Sequence, residues 1–272
     1  MEILSSIEAL DRYNIIDTHN KPILVHGSDM NFYYCKYFES IGTANKLFKE
    51  FLVASFLSDW ELNHAPFQVI KVLPEHIPDN LTIPKNRFYA PCFGSQRVMN
   101  ASDLTKVSED IIVNSRNRKA IKSDLLRLSF FDIWTCNEDR HSGNYNLLYK
   151  FENEGYRLYA IDHEACFNHQ NFERGLVSID YESSLIYSSF FSKLFRPSEF
   201  KNQAALTSLR QSLYICSLSC KEKIAITLKN IPQEWNVDIV EKEAELNKYL
   251  LNDEWFRDSW STFLTFLQYY ST

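Results

Sequence analysis

The chain has 272 residues, of which 45% are hydrophobic and 24% charged, and a net charge of −6 at pH 7. That length holds one large domain or two lobes with a cleft. The negative surplus argues against a protein whose task is direct nucleic-acid binding. No run of eighteen apolar residues occurs, so no membrane contact through a spanning helix is expected. Residues Met1 to Ser6 lack a basic segment leading into an apolar core, so a cytoplasmic protein with six free thiols is expected.

Tyr13 to His19, Pro22 to His26 and Asn31 to Phe38 alternate with the period of two and read as strands. Gly27-Ser28-Asp29-Met30 forms the hairpin turn between the last two. In the third strand Phe32, Tyr34, Lys36 and Phe38 share one face, which sets a lysine among aromatics. Ala44 to Leu57 carries apolar residues at helical spacing, with Thr43 as its expected N-cap. Glu50 lies on or beside that apolar stripe, where a carboxylate needs a partner. Phe67 to Leu73 and Phe88 to Val98 read as further strands, separated by a proline-bearing loop from Pro74 to Asn86.

After Ser102 the pattern turns helical. Lys119 to Thr135 presents Ile121, Leu125, Leu128, Phe130 and Ile133 on a broad apolar face. Two short strands follow, Tyr145 to Tyr149 and Arg157 to Ile161, joined by the polar turn Glu152-Asn153-Glu154-Gly155. Helices are expected over 204–217, 221–229, 239–251 and 254–270. The chain therefore divides into a strand-rich part, 1–98, and a helical part, 99–272. Cys216 and Cys220 sit at helical spacing with no second Cys or His pair nearby, so zinc is not expected.

The most informative stretch is Asn137-Glu138-Asp139-Arg140-His141-Ser142-Gly143-Asn144, with Asp162 eighteen residues after Asn144. Phosphoryl transfer needs positioning and charge neutralisation more than covalent chemistry. Asp139 can orient a hydroxyl and accept its proton, while Asn144 and Asp162 can offer hard oxygens to one or two Mg²⁺ ions. Asp139 to Asn144 is the step of the kinase loop D-x-x-x-x-N. His141 could act as a base, but a loop histidine that holds backbone is the plainer reading. Asp132, inside Phe130-Phe131-Asp132-Ile133-Trp134, must be paired if buried, and is expected to anchor the loop backbone or Arg140. Ser183-Ser184 and Ser188-Ser189-x-x-Ser192 read as a polar loop, with autophosphorylation as the alternative.

Asn137-x-Asp139-Arg140-His141-x-Gly143-Asn144 followed by Ile161-Asp162-His163 resembles the HipA-like kinases, bacterial relatives of serine/threonine protein kinases. Asp132-Ile133-Trp134-Thr135 and Ile231-Pro232-Gln233-Glu234-Trp235 extend the likeness to the compact members of that group. The resemblance implies an α+β, two-lobed protein-kinase-like fold, with a small antiparallel-sheet N-lobe bearing one helix and a larger helical C-lobe. It also implies roles. Lys36 would contact the ATP phosphates and Glu50 would pair with it. Ser95, Gln96 and Arg97 would form the hinge that meets adenine. Asp139 would be the catalytic aspartate, and Asn144 and Asp162 the Mg²⁺ ligands. No G-x-G-x-x-G precedes Lys36, and His163-Glu164 stands where other kinases have Phe-Gly. The function implied is an ATP- and Mg²⁺-dependent kinase of a protein Ser/Thr hydroxyl, with a toxin-type role and an antitoxin partner as further expectations. The alternatives are a kinase of small molecules or lipid headgroups, and a nucleotide-binding interaction module without turnover.

Overall fold

The structure is a computed structural model that describes residues 2–18, 21–38, 41–153, 155–169 and 175–271; the side chains of 41–44 lie outside that description. The chain forms two units. One comprises Met1–Ser55, Ala65–Met99 and Ile226–Ile239, the other Phe56–His64, Asn100–Ala225 and Val240–Thr272.

In the first unit the alternation of the sequence builds a five-stranded sheet. Its strands are β1 (Leu4–Ser5), β2 (Ile23–His26), β3 (Phe32–Lys36), β4 (Phe67–Lys71) and β5 (Cys92–Gln96), in the order β1-β4-β5-β3-β2. All neighbours are antiparallel except β1 and β4. Ile23, Val25, Tyr33 and Cys35 face a core shared with Ile70, Ile77 and Phe88. Phe32, Tyr34 and Lys36 fall on the opposite, half-buried face. Gly94 permits the close approach of β3, β5 and β4: a Cβ there would meet Ile70 Cγ1 at 2.7 Å and Tyr33 Cβ at 3.1 Å.

Helix α1 (Ile41–Asp59) begins before the expected start, so Thr43 lies within its first turn instead of capping it. Phe51 packs edge-on against Phe67 at 5.3 Å and Trp235 at 6.3 Å. Trp235 in turn donates its indole N–H to the Pro91 carbonyl at 2.6 Å. The late Ile231–Trp235 segment therefore belongs to the core of this unit. The expected strand from Tyr13 to His19 is absent over its described part. Arg12–Asn14 is a 3₁₀ turn in which the Asp11 carboxylate accepts from the Tyr13 N–H at 2.9 Å. Ile15 forms only an isolated bridge to Ile23, and His19 lies outside the described residues. A short acidic side chain that satisfies the backbone locally competes with ladder formation.

The second unit holds α2 (Glu109–Val113), α3 (Arg118–Trp134), α4 (Ser189–Leu194), α5 (Gln203–Leu228), α6 (Ile239–Tyr249) and α7 (Asp253–Ser271), apart from the last turn of α5 and first residue of α6. A three-stranded sheet accompanies them, β6 (Ser102–Asp103), β7 (Leu147–Glu152) and β8 (Gly155–Ala160). Its core is aromatic. Phe130 stacks on Trp60 at 6.0 Å and meets Phe256 and Phe263 of α7 edge-on at 5.5 Å each. Burial of each such side chain contributes about 2–3 kcal/mol. The two helices expected over 204–217 and 221–229 are one uninterrupted α5. Ser217 turns its hydroxyl onto the Tyr214 carbonyl at 2.8 Å, and the serines are absorbed without a break. No helix among the described residues is long and apolar enough to cross a membrane.

Candidate active site

Helix α3 delivers the chain into the Asn137 loop through a defined C-terminal cap. Asn137 donates its N–H to the Asp132 carbonyl at 2.8 Å, and Cys136 donates to the Ile133 carbonyl at 3.3 Å. Cys136 itself stands at φ 50°. This is the Schellman arrangement, with cysteine at the left-handed position where glycine is usual. A non-glycine residue there costs about 1 kcal/mol, and the loop geometry must outweigh it.

Beneath the loop lies a buried charged cluster. Asp132 and Arg140 are both shielded from solvent and paired through Asp132 Oδ1 and Arg140 Nη1. The Asn137 amide donates to the same Oδ1 at 3.1 Å. Asp132 thus anchors both the loop and Arg140, as expected from its burial. Burial pushes its carboxyl up to about 6, against the pull of Arg140 and Asn137, which favour the anion. Arg140 Nη2 also donates to the Ile161 carbonyl at 3.1 Å and to His163 Nδ1 at 3.2 Å. Since a guanidinium only donates, His163 accepts there and carries its proton on Nε2. One arginine therefore clamps the residues on either side of Asp162.

Asp139 receives two amides on one oxygen. Asn144 Nδ2 donates to Asp139 Oδ2 at 3.0 Å, and Asn146 Nδ2 donates to it at 2.9 Å. Oδ1 has no partner among the described residues. The Asn146 contact was not legible in the D-x-x-x-x-N spacing; the one local signal is that Asn tolerates the left-handed conformation, and Asn146 has φ 46°. The loop is closed by reciprocal backbone bonds between His141 and Asn144, at 2.9 and 3.1 Å. His141 Nδ1 accepts the Gly143 N–H at 3.0 Å, which is the structural role expected of it.

The donor set suits a hard divalent cation. A carboxylate can only accept, so Asn144 must give Asp139 its NH₂ end, which leaves its amide oxygen for a metal. Asp162 stands at φ 55°, held between Arg140 and the Ile161 N–H bond to the Asn146 carbonyl at 3.1 Å. A carboxylate oxygen of Glu164 lies within 4.8 Å of one on Asp162. Oxygen ligands of this kind fit Mg²⁺. Beside the loop a crevice of about 370 Å³ opens, lined by Thr105, Lys106, Ser142, Gly143, Asn144 and Asn146 among others.

In the first unit Lys36 Nζ meets Glu50 Oε1 at 2.5 Å, with the Glu50 side chain 2% exposed. Strand β3 and helix α1 thus bring together the pair that the sequence separates by fourteen residues. Ser95 pairs with Tyr34 and Phe67 in the sheet. The Gln96 N–H is taken by the Pro66 carbonyl at 2.6 Å and the Arg97 N–H by the Phe32 carbonyl at 2.7 Å. The backbone N–H groups of Gln96 and Arg97, residues of the expected hinge, are therefore both engaged within this unit.

The crystal structure of the proinflammatory kinase CtkA of Helicobacter pylori is similar in fold, with a TM-score of 0.54 at 12% identity over 98% of this chain and 99% of that one. No curated protein matches the chain. The family model of the HipA-like kinases matches residues 10–254, a span that contains the Lys36–Glu50 pair, the Asp139 loop and Asp162. The chain belongs to the HipA-like kinase family.

Proposed function

We propose that this kinase transfers the γ-phosphoryl group of ATP to a serine or threonine hydroxyl of a protein. The observation that carries this reading is the asymmetric use of Asp139. Two amides hold Oδ2, and Oδ1 is left to accept the proton of an incoming hydroxyl. A carboxylate held in this way is oriented before the substrate arrives, which is where catalysis by positioning gains most.

Lys36, held in place by Glu50, supplies the cation for ATP phosphates. Asn144 and Asp162 would hold Mg²⁺, which supplies neutralisation of the charge that develops on the phosphoryl oxygens. In this reading the segment bearing the hydroxyl approaches along the crevice of about 370 Å³ beside Ser142–Asn144. Purified protein is incubated with ATP and Mg²⁺, alone and with a host lysate, and phosphosites are mapped by mass spectrometry. New phosphoserine or phosphothreonine that disappears with Asp139→Asn supports the reading. Transfer only to small molecules, or none at all with intact ATP binding, rejects it.

A further inference from the structure

Glu109 opens α2 and is 1% exposed. Its Oε1 accepts from the Tyr145 hydroxyl at 2.5 Å and from Ser189 Oγ at 2.8 Å. Its Oε2 lies 3.1 Å from Lys193 Nζ, which also reaches Asp110 at 2.7 Å. A buried carboxylate is costly unless it is paired and hydrogen-bonded, and this one has three partners drawn from two other segments. None of those partners belongs to the Asp139 cluster, but Tyr145 shares a peptide bond with Asn144. Its ring is 5% exposed and faces Phe190 at 6.1 Å. A phenylalanine would fill the same volume; what tyrosine adds is a directional bond that fixes the ring, and with it the peptide that sets Asn144.

We infer that Glu109 is a positioning residue for the metal site: by gripping Tyr145 it holds Asn144 with its amide oxygen presented to the cation, and through Ser189 and Lys193 it ties that geometry to α4. The inference rests on Asn144 and Asp162 being metal ligands, as in the reading above.

The test measures binding of Mn²⁺, a paramagnetic stand-in for Mg²⁺, by water-proton relaxation in the presence of ADP. The chains compared are the unmodified protein, Tyr145→Phe, Glu109→Ala and Glu109→Gln, each with its thermal melting curve. Tyr145→Phe and Glu109→Ala are expected to bind Mn²⁺ about tenfold more weakly, the lower end of what lost support of a metal ligand costs. Glu109→Gln keeps an amide oxygen for Tyr145 and is expected to stay close to the unmodified protein. Equal Mn²⁺ affinity in Tyr145→Phe, or losses that merely follow melting temperature across the set, would overturn the inference. If the unmodified protein takes up no Mn²⁺, the assignment of Asn144 and Asp162 fails first, which is a separate result.

Discussion

Removing one partner of the Asp132–Arg140 pair should cost far more than removing both. Arg140 has no solvent exposure, and Asp132 is 1% exposed. Asp132→Ala strands a buried guanidinium, a change worth about 3–5 kcal/mol. At roughly 2–4 °C per kcal/mol for a protein of this size, the melting temperature should fall by about 6–20 °C. The double variant Asp132→Leu with Arg140→Met replaces the pair by apolar groups of similar volume and should recover most of that loss. It should not recover phosphotransfer, because the bonds from Arg140 to the Ile161 carbonyl and His163 are gone. Thermal denaturation and a transfer assay on the same preparations decide it. A double variant as unstable as the single, or one that is fully active, would show that the cluster does not act in this way. The pH dependence has a definite sign. Because the folded carboxyl titrates at about 6 and not at 3.8, its stabilising contribution is present below 3.8 and lost as pH rises through about 6. The margin of the unmodified protein over Asp132→Asn should therefore be larger at acidic than at neutral pH; the reverse trend would mean that Arg140 outweighs burial.

Asp139→Asn and Asp162→Asn should each abolish detectable transfer while far-ultraviolet circular dichroism is unchanged; measurable turnover in either removes that residue from the proposed site. Asn146→Ala takes one of two amides from Asp139 Oδ2 and should lower kcat by about ten- to a hundredfold, with KM for ATP little changed, in line with the loss of about 1.5–3 kcal/mol for one hydrogen bond to a charged group. Lys36→Met should raise KM for ATP and lower kcat together, and unaltered ATP kinetics would assign the Lys36–Glu50 pair to structure alone. Chelation of divalent cations with EDTA should stop transfer and excess Mg²⁺ should restore it; transfer that persists under chelation contradicts the metal role of Asn144 and Asp162.

The acidic and amide residues of the site were legible because their spacing is covalent. Asp139 and Asn144 are joined by one short loop, and a hairpin returns the chain to Asp162. Lys36 and Glu50 were legible for a different reason, since each is a charged residue on an otherwise apolar strand or helix face. What escaped was set by contacts remote in sequence. Trp235 completes the core around Phe51, and no local pattern places a late segment with early strands. Asn146 depends on a left-handed backbone angle, and the short strands β1 and β6 are too brief for any periodicity to register. The break expected within α5 failed because serines can satisfy themselves on the preceding turn.

Cys136 at φ 50° turns the end of α3 into a fixed elbow, and Arg140 holds the far side of that elbow to the peptide groups around Asp162. Asp139 and Asp162, the proposed base and cation ligand, are thus built into a single frame, with their separation dictated by the polypeptide itself. An enzyme made this way has little room to retune its reactive geometry by bending that loop. Regulation would have to come from the rate at which substrates reach the frame, or from replacing the frame altogether.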